Sequence, residues 1–171
     1  MANRRIVDPL TPAAPFHHLG ILTPDIEAAI DFLSPTLGVT FRDPITVASL
    51  RVDPDEFGNA AAHPVEGRIS FSIEGPPHYE LAEGHGSGIH SLERYGAGMH
   101  HVGLFASDLA AARTEIEATI PGSLSEIVDG QGGLLAWYSL PSTETGLIVE
   151  LLDERLRGPI GRYIDLGEAP S

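Results

Sequence analysis

Short apolar runs and amphipathic segments follow one another along the chain in an order that occurs twice. The run in "HHLGILTPD" ends at Thr23-Pro24, and "DIEAAIDFL" then places Ile26, Ile30 and Leu33 at helical spacing until Leu37-Gly38 stops the pattern. Three stretches of strand-like patterning come next: "VTFRDPITVASLRV", "RISFSIEG" and "HYELAEG". The second pass opens on "HHVGLFASD". A helix carrying Leu109, Ala112 and Ile116 follows, with Ser107 or Asp108 as its cap and Pro121-Gly122 as its stop. The strands "LSEIVDG", "GLLAWYSL" and "LIVELLDE" complete that pass, separated by turn residues at 129–133 and 141–146. Strand, helix and three strands, written twice, predict an α+β fold with an internal repeat.

The boundaries follow from the same pattern. Residues 1–15 read as an arm, 16–83 as the first unit, 84–97 as a Gly- and His-rich linker, and 98–153 as the second unit. Residues 154–171 read as a tail with a short helix and a frayed end. Within the first unit, "DPDEFGNAAAHPVE" (53–66) reads as an insertion or mobile loop.

Composition removes several functional classes. At 171 residues and 42% apolar content the chain suits one domain, or two small modules sharing a core. No apolar run approaches the roughly eighteen residues of a membrane span. No apolar stretch follows Arg4 and Arg5, so a secretory leader is not expected and cytoplasmic residence is the default. The absence of cysteine excludes disulfides, thiolate catalysis and Cys-ligated zinc. A formal charge of −14, with arginine as the only basic residue other than histidine, argues against binding to nucleic acid or anionic membrane. The expected partner is a small molecule.

Eight histidines are the more informative feature, because four of them form two adjacent pairs at matching places in the repeat. In each pair the second His precedes an Asp by seven residues. On a strand, alternate side chains share a face, so His18 goes with Gly20 and His101 with Gly103. His17 and His100 are then expected to face away in structural roles. The glycines leave room beside the rings for a ligand or for close packing. The last strand of each unit supplies an acid among apolar residues, Glu80 in "YELAEG" and Glu150 in "VELLDE". Buried carboxylates need a partner or a metal. Two imidazoles and two carboxylates, one of each per unit, suit a divalent ion such as Zn, Ni, Co, Mn or Fe(II). His78 shares a face with Glu80 and either lines the site or ends a solvated strand. His63, Glu66, His85 and His90 belong to loops on this reading, and one of Trp137 and Tyr138 must face inward.

The residues "HHLGILTPDIEAAIDFL", "YELAEG", "GAGMHHVGLFASDLAAA" and "GLIVELLD", in this order over residues 16–153, resemble the vicinal oxygen chelate superfamily. The resemblance implies two tandem βαβββ modules forming a cupped mixed sheet with helices on the outside. It further implies a metal held by His18, Glu80, His101 and Glu150, with Glu150 and Glu80 as the catalytic carboxylates. "RYGAGMHHVGLFASDL" looks most like the methylmalonyl-CoA epimerase and glyoxalase-like branch. The chain departs from those epimerases at Glu80, where they usually carry Gln, and at their catalytic Glu before the third strand, which neither His63 nor Glu66 matches. The activity implied is proton abstraction next to a metal-bound carbonyl, as in an isomerase, epimerase or glyoxalase-type lyase, by a homodimer. An Fe(II) extradiol-type dioxygenase and a metal-free binding or resistance protein are the alternatives.

Overall fold

The computed structural model describes residues 16–53, 62–84, 86 and 88–169. The expected arm 1–15 and residue His85 lie outside the described residues. In chain order the elements are β1 (His18–Thr23), α1 (Ile26–Leu37), β2 (Ile45–Val52), β3 (Ala62–Phe71), β4 (His78–Glu83), α2 (Leu92–Tyr95), β5 (Gly98–Ala106), α3 (Leu109–Glu117), β6 (Ser123–Val128), β7 (Leu134–Ser139), β8 (Ile148–Asp153) and α4 (Arg157–Leu166). The two passes of strand, helix and three strands are present. No helix among the described residues is long and apolar enough to cross a membrane.

The repeated Asp has a local cause. Asp25 and Asp108 have extended backbones and accept the backbone N–H groups of Ala28 and Ala111, capping α1 and α3. At the other end of α1, Gly38 takes up the left-handed conformation at φ 68° and donates its N–H to the Ser34 carbonyl. Each helix packs outside the sheet. Ile26 of α1 lies against Leu81 and Phe41, and Ala112 and Ile116 of α3 lie against Trp137 and Leu151.

The strands close into one barrel in the order β1-β4-β3-β2-β6-β7-β8-β5. Within it β1–β4 and β5–β8 are parallel, and the other pairs are antiparallel. The expected cupped mixed sheet is therefore closed all round, with β2 and β6 meeting at Leu50–Val52 and Glu126–Val128. Inside lie Phe105, Tyr138, Ile148 and Leu152, joined by Ile89 from the connection between the modules.

Two expectations change. Ala62–Glu66 belong to β3 and pair with Ala48–Val52 of β2, so only 54–61 of the expected loop lie outside the described residues. Pro64 disguises the strand in sequence, since proline removes a ladder donor. The C-terminal segment forms α4, which lies across the barrel rather than trailing from it. Tyr163 and Ile164 pack on Phe71, the Tyr163 hydroxyl donates to the Asp43 carbonyl at 2.8 Å, and Arg42 donates to the carbonyls of Ile164 and Asp165 at 2.6 and 2.5 Å.

Candidate metal centre

The register of the central strands brings the four sequence-selected side chains together. β1 and β5 run antiparallel with His18 opposite Gly103 and Gly20 opposite His101. β4 and β8 flank them in parallel, with Glu80 opposite Gly20 and Glu150 opposite Gly103. The glycines prove reciprocal. A Cβ at Gly20 would come within 3.0 Å of three ring atoms of His101, and one at Gly103 within 3.0 Å of three ring atoms of His18. Each module thus clears space for the imidazole of the other.

The donor atoms converge on one point. His18 Nε2 lies 3.1 Å from His101 Nε2, 3.1 Å from Glu80 Oε2 and 2.9 Å from Glu150 Oε2. His101 Nε2 lies 2.9 Å from Glu80 Oε2 and 3.5 Å from Glu150 Oε2. One donor atom from each of the four residues lies within 4.8 Å of the others, and all four residues are buried. Neighbouring ligands on an ion with bonds of about 2.1 Å stand about 3.0 to 3.4 Å apart, so these spacings fit a common cation.

The charges point the same way. Burial works against charging His101 and His18, but the carboxylates of Glu150 and Glu80 outweigh it and raise them to about 10 and about 8. Burial opposes the Glu80 charge as well, yet the two imidazoles lower it to about 2 and hold Glu150 well below the usual range. The group therefore keeps two carboxylates ionised and balances them with a positive charge on each ring, the same charge that a divalent ion would supply in their place. Glu150 Oε2 is buried, and what faces it there is the pair of imidazole nitrogens, His18 Nε2 at 2.9 Å and His101 Nε2 at 3.5 Å. A carboxylate oxygen in that position is costly unless a cation meets it, and the donor set fits a divalent ion.

The surroundings hold residues that the sequence pattern did not single out as partners. The Tyr138 hydroxyl donates a short hydrogen bond to Glu150 Oε1, and burial, then the Glu150 charge, push its own ionisation well above the usual value. Alternation required one of Trp137 and Tyr138 to face inward, but adjacent aromatics do not say which. Trp137 is the outward one, beneath α3. His17 and His100 do not turn away as expected. Their Nδ1 atoms lie 3.0 Å from those of His18 and His101, and burial is the main cause holding them neutral, at about 3 and about 4. In β5 the reason is a bulge: His101 faces Gly20 while Met99 faces Ile21, which leaves His100 as the extra residue and breaks the two-residue period. His78 is buried and donates to the Ser72 carbonyl at 2.9 Å. His63 lies 3.6 Å from Asp53, and Glu66 is exposed.

A cavity of about 190 Å³ opens from this cluster into the barrel. His18, Glu80, Glu150 and Tyr138 line its polar part, and residues such as Ile69, Phe71 and Leu152 line its apolar part. His90 and Arg51 also reach it, and Pro159 and Ile160 of α4 contribute to its wall.

Residues 17–135 match the family model described as the glyoxalase/bleomycin resistance protein/dioxygenase superfamily. The chain belongs to that superfamily. No curated protein matches the sequence. Among solved structures, a hypothetical protein from Bacillus halodurans shares 15% identity over 83% of this chain and 95% of its own, with a TM-score of 0.54, and shows the same fold. The methylmalonyl-CoA epimerase from Mycobacterium tuberculosis shares 15% identity over 81% and 86%, with a TM-score of 0.48. A variant of 4-hydroxymandelate synthase from Streptomyces coelicolor shares 12% identity over 83% of this chain and 48% of its own, also at 0.48. In this member of the superfamily the barrel interior holds a His-Glu-His-Glu cluster able to bind a metal.

Proposed function

We propose that the protein is a divalent-metal-dependent enzyme that removes a proton from carbon next to a carbonyl, giving an isomerase, an epimerase or a glyoxalase-type lyase. The observation that carries this reading is the convergence of two imidazole nitrogens and two carboxylate oxygens, one donor atom from each residue, within 4.8 Å of one another inside the barrel. His18, Glu80, His101 and Glu150 would hold the ion. When bound, it supplies positive charge where negative charge develops on a substrate oxygen.

The chain's own groups do the rest. Glu80 is the more open carboxylate, with 12% of its side chain exposed against 5% for Glu150, and it takes the proton from the substrate carbon. Glu150 belongs to the other module and is tied to the Tyr138 hydroxyl, so a proton drawn from solvent through Glu150 reaches the opposite face of the substrate, while Glu80 gives the proton it took to solvent. Taking and giving by different carboxylates yields epimerisation, and by one carboxylate yields isomerisation. Ile69, Phe71 and Leu152 exclude water and suit a small substrate with an apolar body. An Fe(II) dioxygenase would need Glu80 as a bystander, whereas its Oε2 lies 3.1 and 2.9 Å from the two imidazoles. A metal-free binding protein would have no use for four donor atoms, one from each residue, within 4.8 Å of one another.

Calorimetric titration with zinc, cobalt, nickel and manganese tests the first step, with one ion per chain expected and no binding by His101→Ala. Deuterium entering a candidate carbonyl substrate from heavy water tests the second. Absence of binding by every ion would overturn the proposal. Oxygen uptake without deuterium exchange would replace it with oxygenase chemistry.

A further inference from the structure

The proposed function uses one imidazole of each His-His pair and leaves the other without a role. In both pairs the Nδ1 atoms stand 3.0 Å apart, with ring planes at 89° and 87°. This contact is built twice on different backbones. His17 precedes β1, where its N–H donates to the Gly103 carbonyl, while His100 is the extra residue of the β5 bulge. The companions are themselves held in place. The His17 ring packs edge-on against Phe105 at 4.7 Å, and His100, 5% exposed, packs against Tyr95 at 5.2 Å.

Only one proton fits between two Nδ1 atoms, so one ring donates and the other accepts. A neutral imidazole that offers its Nε2 lone pair to a cation carries its hydrogen on Nδ1. His18 and His101 direct Nε2 at the cluster, so they are the donors and the companions accept. We infer that His17 and His100 are positioning residues, each accepting the Nδ1–H of the following histidine and so holding its Nε2 bare and aimed at the metal centre. This inference rests on the metal reading above. It also accounts for the residue type. Glu80 and Glu150 already balance a divalent charge, and an imidazole acceptor adds none, whereas a carboxylate companion would leave the buried centre negative.

The test is zinc affinity of the full-length chain, measured by competition with a chromophoric chelator. His17→Phe and His100→Phe keep a ring and lose the acceptor, and each is expected to weaken zinc binding about tenfold to a hundredfold. His17→Asn and His100→Asn place an oxygen near the former Nδ1 and are expected to recover most of that loss. Phe variants that bind zinc as tightly as the parent would overturn the inference, as would Asn variants no better than Phe. Nitrogen NMR of the zinc-loaded parent protein supplies a reading independent of variant folding. It should show His18 and His101 protonated at Nδ1 and their companions at Nε2, and the reverse tautomers would overturn the assignment. A parent chain that binds no zinc or other divalent ion would overturn the metal reading itself, a failure distinct from equal binding by parent and variants.

Discussion

At the scale of single residues, the candidate centre is a charge arrangement with a definite proton inventory. At pH 7 both His18, at about 8, and His101, at about 10, carry a proton in the metal-free protein. A cation requires both Nε2 atoms bare, so binding should release one proton from each ring. Apparent affinity should fall about tenfold per pH unit on going from 10 to 8, and about a hundredfold per unit below 8. Calorimetry in buffers of different ionisation enthalpy checks this, and binding without proton release would mean that the rings are neutral beforehand. Tyr138→Phe removes the donor to Glu150 Oε1, and the metal-free variant should lose about 1–3 kcal/mol in urea unfolding. Much of this level was legible in the sequence. Period two selected His18 with Gly20 and His101 with Gly103, and acids among apolar strand residues marked Glu80 and Glu150. The direction of His17 and His100 was not legible, because a bulge and a strand terminus each escape that period. Nor was Tyr138, because the adjacent Trp137 satisfies the same pattern.

At the scale of elements, local chemistry accounts for why the two halves look alike. A strand of the same phase leads from each His pair to an Asp that caps the next helix, and Asp108→Ala should cost about 1 kcal/mol of stability in denaturant titration. Elements lacking such punctuation were harder to read. β3 begins at Ala62, but Pro64 and the acidic residues before it resemble a loop; the pairing with β2 overrides that local preference. α4 was legible as a helix but not in its location, since its docking depends on residues far away in sequence. Arg42 holds its final turn through the carbonyls of Ile164 and Asp165. Arg42→Ala should speed amide hydrogen exchange in α4 while leaving the barrel strands protected. Equal loss of protection in both would show that the helix is integral to barrel stability.

At the scale of the whole molecule, the barrel gathers all four donors from one chain, two from each repeat. Zinc affinity per chain should therefore stay constant when the protein is diluted through any dissociation of an oligomer. A loss of affinity on dilution would show that a second copy supports the centre. The sequence conveyed the two modules and their order, but the closure of β2 on β6 depends on curvature accumulated over the full sheet. The seating of His101 over Gly20, and of His18 over Gly103, has a genetic consequence. A methyl group at either glycine strikes the ring of the opposite repeat, so interactions between mutations should run crosswise. Gly103→Ala combined with His18→Ala should be less unstable than the sum of the two, because the second change removes what the first collides with. Suppressors of a glycine lesion should accordingly arise at the imidazole of the other half, restoring the fold at the expense of the metal.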